Sequence, residues 1–89
     1  MKTQRKKDYE DIFTVIIQYE GNEPTTVSFI DFDAAVAYCM QELEDGGRFT
    51  EYADDEEEER EYARNELENQ RFFDDGGTYY YIEEARLHL

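Results

Sequence analysis

Carboxylates dominate the groups of this chain that could do chemistry, and they are concentrated. The stretch DDEEEERE, Asp54 to Glu61, places seven of them in eight residues. Closely paired carboxylates can move protons in a hydrolase, ligate a divalent cation, or present negative charge. The first two uses require convergence. A hydrolase must seat its substrate in a pocket between the acids, and a chain of 89 residues has a small core in which to build one. A calcium loop needs ligands at fixed spacing around a turn glycine. Neither Asp31-Phe32-Asp33 nor the acidic run has that spacing, and adjacent acids on a helix diverge.

The other reactive groups are isolated. His88 is the sole histidine, and Cys39, the sole cysteine, lies on an apolar helical stripe where a buried structural thiol is expected. There is no Ser-His-Asp set and no CxxC. Both Gly-Gly pairs follow predicted helices rather than precede them, so neither cradles phosphate. The expectation is a protein that is not an enzyme and has no cofactor and no metal site. Charge itself becomes the property to explain.

The net charge is −15, from 24 acids and nine bases. Lys2, Arg5, Lys6 and Lys7 occupy the first seven residues; everything after Lys7 holds all 24 acids against five arginines and no lysine, a charge of −19. Such a body repels nucleic acid and anionic membrane and attracts basic surfaces. Halophilic surfaces carry a similar acid excess, but the Ile, Phe and Tyr content does not demand that origin. The lone cysteine suits a reducing cytoplasm, no apolar segment follows the basic start as in a secretory signal, and no apolar run is long enough to span a membrane. No direct contact with nucleic acid or membrane is expected. An aromatic fraction of 16% argues for a folded chain in spite of the charge.

The elements that must position these charges are legible in outline. Residues 1–8 read as a flexible basic tail and 9–89 as one domain. Asp11–Tyr19 is β-branched and aromatic, and it is apolar on both faces: Phe13, Val15, Ile17 and Tyr19 on one, Ile12 and Ile16 on the other. That pattern predicts a central strand. Glu20–Pro24 reads as a turn, and Thr25–Ile30 as the second strand of a hairpin. Residues 31–47 predict a helix, capped by Asp31 or Asp33 and stopped at Gly46 or Gly47, with Phe32, Val36, Cys39, Met40 and Leu43 in one stripe. A second helix is predicted over about 54–72, ended by Asp74-Asp75-Gly76-Gly77 as Glu44-Asp45-Gly46-Gly47 ends the first. Thr78–Leu89 predicts a last strand with an irregular end after Glu83. The expected fold class is α+β: a three-stranded antiparallel or mixed sheet, β-β-α-α-β in order 2-1-3, with both helices on one face. The other sheet face would carry Tyr and Thr and be partly exposed.

On a wheel at ~100° per residue the acidic helix sorts into faces. Tyr62, Ala63, Leu67, Gln70 and Phe73 share one half. Arg60, Arg64 and Arg71 share an edge. Asp54, Glu57, Glu58, Glu61 and Glu68 lie opposite the apolar half. Pairs such as Glu56–Arg60 and Glu68–Arg71 contribute only a few tenths of a kcal/mol each, and acids from Asp54 to Glu59 without an interposed cation repel one another at i,i+4. The ridge from Asp54 to Glu68 is about 21 Å long at ~1.5 Å per residue, with a carboxylate roughly every turn. One DNA strand carries phosphates every ~3.4 Å. Glu44, Asp45, Asp74 and Asp75 would extend the field.

These features predict a small acidic inhibitor that imitates nucleic acid in the basic DNA- or RNA-binding groove of a host defence enzyme. In size, charge and architecture the chain resembles the inhibitors of host defence carried by phages and mobile elements, including anti-CRISPR and anti-restriction DNA mimics. The likeness is one of general character, and no motif transfers a residue role. The expected partner is a basic nucleic-acid-binding protein, met by a monomer or homodimer. The other expectation is a non-catalytic adaptor or regulatory protein-interaction module, as a monomer or a homodimer, that uses the tyrosine-bearing sheet face with Tyr79 and Tyr81 or an open strand edge.

Overall fold

Alternation along the first strand organises the molecule. The computed structural model describes residues 9–47 and 56–88; the basic segment 1–8 and Asp54 lie outside them. Strand β1 (Tyr9–Tyr19) pairs antiparallel with β2 (Thr25–Phe29) on one side and with the last strand, β4 (Thr78–His88), on the other. Val15 thus stands between Val27 and Ile82. The hairpin turns where Gly21 takes a φ of 79° and the Asn22 N–H donates to the Tyr19 carbonyl at 3.2 Å.

Helix α1 (Phe32–Asp45) starts where the Asp31 carboxylate accepts from the Asp33 N–H at 3.1 Å. It ends where the Gly46 N–H donates to the Glu42 carbonyl and Gly47 adopts a φ of 82°. Its stripe of Ala35, Val36, Cys39, Met40 and Leu43 is buried. Helix α2 (Glu56–Gln70) adds Ala63 and Leu67. Both helices pack on the sheet face that carries Val15, Ile17, Phe73, Tyr80 and Ile82, and these side chains form one hydrophobic cluster. Burial pushes the Cys39 thiol up to about 12, so it stays a neutral core group at physiological pH. Among the described residues, no helix is long and apolar enough to cross a membrane.

The α+β class, the antiparallel sheet and the common helix face agree with expectation; the strand count does not. The sheet has four strands in the order β2-β1-β4-β3, all antiparallel, rather than three in the order 2-1-3. The added strand is β3 (Phe72–Asp75), so the element order is β-β-α-α-β-β. Asp74-Asp75-Gly76-Gly77 is not a helix stop. Gly76 and Gly77, at φ 55° and 118°, form a two-residue hairpin connection between Asp75 and Thr78, which pair across it. Positive φ at both central residues suits such a connection, and glycine adopts it freely. The last strand also continues past Glu83 to His88, held by its ladder to β1.

What ends α2 is Arg71, the one non-glycine with positive φ (57°) among the described residues. Its N–H donates to the Leu67 carbonyl at 3.1 Å, and its carbonyl accepts from the Ile82 N–H at 3.0 Å. A left-handed arginine costs about 1 kcal/mol. Tertiary contacts offset this: Nη1 lies 2.8 Å from Glu84 Oε1, and the guanidinium sits 4.9 Å from the Phe32 ring centre and 6.0 Å from that of Phe13. Arg71→Ala keeps the strain and loses the clasp, whereas Arg71→Gly loses the clasp but relieves the strain. Urea denaturation should place Arg71→Gly above Arg71→Ala by about 1 kcal/mol. Equal stabilities would mean that the left-handed turn is not retained.

Candidate functional site

The acidic ridge is set by how α2 is seated. Ala63 and Leu67 face the core, which turns Glu57, Glu58, Glu61 and Glu68 outward, and all four are exposed. From Glu57 to Glu68 the ridge rises about 16 Å along the helix axis. Tyr62 does not join the core: it is 58% exposed on the helix flank, edge-on to Phe73 with ring centres 6.2 Å apart. Gln70, on the apolar half of the wheel, is exposed in the last turn.

Cation placement sharpens the field. Arg60 Nη2 donates to Glu56 at 2.8 Å and reaches across to Glu44 of α1 at 2.9 Å. That hydrogen bond holds the Glu44 carboxyl below the usual carboxylate range, and the pair of carboxylates raises the Arg60 guanidinium further. Arg71, which the wheel set beside Glu68, is bound to Glu84 of β4 instead. Arg71 is therefore turned to a carboxylate off the ridge, while Arg60 ties the first turn of α2 to the end of α1. Arg64, the third edge arginine, is exposed beside the ridge.

The remaining candidate acids divide. Glu44 is brought to α2, but as one end of the Arg60 bridge. Asp45 is exposed at the end of α1 and accepts from Gln41 Nε2 at 2.9 Å. Asp74 is exposed and alternates onto the sheet face of Phe72, away from the helices; half-buried Asp75 alternates to the other face. Among the described residues no three His, Cys, Asp or Glu side chains converge to hold a metal ion.

A second surface lies on the helix-free side of the sheet. Register puts Thr26, Ile16, Tyr81 and Phe72 in one row across all four strands, with Gln18, Tyr79 and Asp74 in the row beyond. Toward the other end follow Thr14 with Glu83, Ile12 with Ala85, and Glu10 with Leu87. Phe72 stacks on Tyr79 at 6.2 Å and tilts against Tyr81 at 5.1 Å. The two-sided apolar pattern of β1 signals this face, but Phe72 could join it only once β3 was known to be a strand. No protein-family model, no curated protein and no solved structure matches the chain.

Proposed function

We propose that this protein is a non-catalytic acidic inhibitor that acts in the cytoplasm by imitating nucleic acid in the basic groove of a host defence enzyme. The observation that carries the reading is the ridge of exposed Glu57, Glu58, Glu61 and Glu68 on one face of α2, flanked by Arg60, which bridges Glu56 and Glu44, and by Arg71, which is bound to Glu84. Lysines and arginines that normally meet phosphates would meet these carboxylates instead, in charge-assisted hydrogen bonds. A rigid helix presents the charges already ordered, which limits the entropy lost on binding.

The test is displacement. Labelled duplex bound to restriction enzymes and CRISPR effectors should be released by this protein at low salt, as read by fluorescence anisotropy. Release should weaken steeply between 50 and 200 mM salt, roughly the range over which phosphate contacts themselves weaken. Duplex that stays bound at low salt, while the protein binds the same enzyme, would count against mimicry. It would favour an adaptor reading, which the aromatic sheet face supports.

A further inference from the structure

We infer that the helix-free face of the sheet is a docking surface for a basic amphipathic helix of a partner protein. This inference stands on the sheet alone and does not depend on the mimicry reading. β1 is apolar on both faces, the pattern of a strand covered on both sides. The chain covers one side, with α1 and α2 over Val15 and Ile17. On the other side Ile12, Ile16, Phe72 and Tyr79 are only half-buried, Tyr81 is 38% exposed and Leu87 is 54% exposed. Exposed apolar side chains grouped in this way on a strongly charged protein mark an interaction site.

Charge selects the occupant. Rows of facing residues lie ~6.8 Å apart along the strands, two residues of about 3.4 Å each. Acids and apolar side chains alternate through them. Glu10 sits beside Leu87, Glu83 lies between the Ile12–Ala85 and Ile16–Tyr81 rows, and Asp74 sits beside Tyr79. The described arginines lie elsewhere: Arg60 and Arg64 are on α2, Arg71 is clasped against Phe32 on the helix side, and Arg86 alternates with Glu84 toward that side, near Asp11. A second copy of the chain would set Glu10, Glu83 and Asp74 against their own kind, between two bodies of net charge −15. Nucleic acid is excluded by the same sign. A helix layered on a sheet is the ordinary way to cover such a face. One with a leucine-type stripe flanked by lysine or arginine would fill the apolar rows and answer each carboxylate.

The experiment uses the full chain, isotope-labelled for amide NMR, and two synthetic probes. One is an amphipathic leucine–lysine helix; the other is the same peptide with glutamate for lysine. The lysine peptide should shift amides of Ile12, Thr14, Ile16, Tyr79, Tyr81 and Leu87, and the glutamate peptide should not. Tyr81→Glu adds negative charge yet removes an aromatic anchor, so binding of the lysine peptide should weaken by roughly tenfold. Leu87→Ser should weaken it with less risk to the fold, and circular dichroism checks that both variants remain folded. Reversing Glu57, Glu58 and Glu61 to lysine should leave the sheet shifts in place. Shifts confined to α2, unchanged affinity in Leu87→Ser, or dimers of the free chain that Leu87→Ser disperses would each overturn the proposal.

Discussion

Reversing Glu57, Glu58 and Glu61 together to lysine is expected to abolish binding to a basic groove while leaving the protein folded. Each reversal removes an attraction and installs a repulsion. At about 1 kcal/mol per site for partly solvated charges, the three together weaken binding on the order of 100-fold. The fold should tolerate the change because the three side chains are exposed on the face of α2 opposite Ala63 and Leu67. Lysines near the helix start oppose the macrodipole by about 0.3–1 kcal/mol each. A fall in net charge from −15 to −9 relaxes the general self-repulsion in return. Thermal unfolding followed by circular dichroism should therefore move by only a few degrees. Position is separated from total charge by reversing Glu20 and Glu23, exposed in the β1–β2 connection, which should cost far less binding. If the ridge variant inhibits as well as the parent, or if the Glu20/Glu23 variant fails as badly, the ridge is not the recognition surface.

The ridge was legible in the sequence because it is a local property. Once residues 56–70 are helical, rotation per residue fixes which glutamates face away from Ala63 and Leu67. β1, β2 and α1 were legible for the same reason, through alternation, turn residues and capping. What resisted local reading was the region after Gln70. Glu44-Asp45-Gly46-Gly47 and Asp74-Asp75-Gly76-Gly77 are nearly the same words with different structures: the first closes a helix, the second turns a hairpin. Phe72 and Phe73 continue the apolar spacing of the helix and so masked β3. The stop is Arg71, a residue with no local preference for left-handed backbone. It is held there by Glu84 and Phe32, contacts distant in sequence. The Arg60–Glu44 bridge was hidden in the same way, because only the packing of α1 on α2 brings the two together.

Leu67→Ala should be the most damaging single substitution at the site although it touches no charge. Leu67 is 0% exposed, and with Ala63 it makes up the buried residues of α2. Removing it from such a position costs about 3 kcal/mol through lost burial and the cavity left behind. That is a large share of the 5–15 kcal/mol typical of a folded domain. The loss falls on an element that cannot stand alone: a helix of 15 residues is marginal in water, and most of this one's side chains are charged. Two measurements follow the effect. The urea midpoint should fall. Cys39, on the buried face of α1 with its thiol pushed up to about 12, should react with an alkylating reagent much faster as the core opens more often. Added salt should restore part of the stability by screening the acids, the reverse of its effect on groove binding. Binding should fall with helix order, because mimicry needs carboxylates at helical spacing rather than an acidic tract. A Leu67→Ala protein that has lost the α2 helix signal yet still displaces duplex at the parental concentration would show that any polyanion suffices, and the geometry of the ridge would carry no information about the partner.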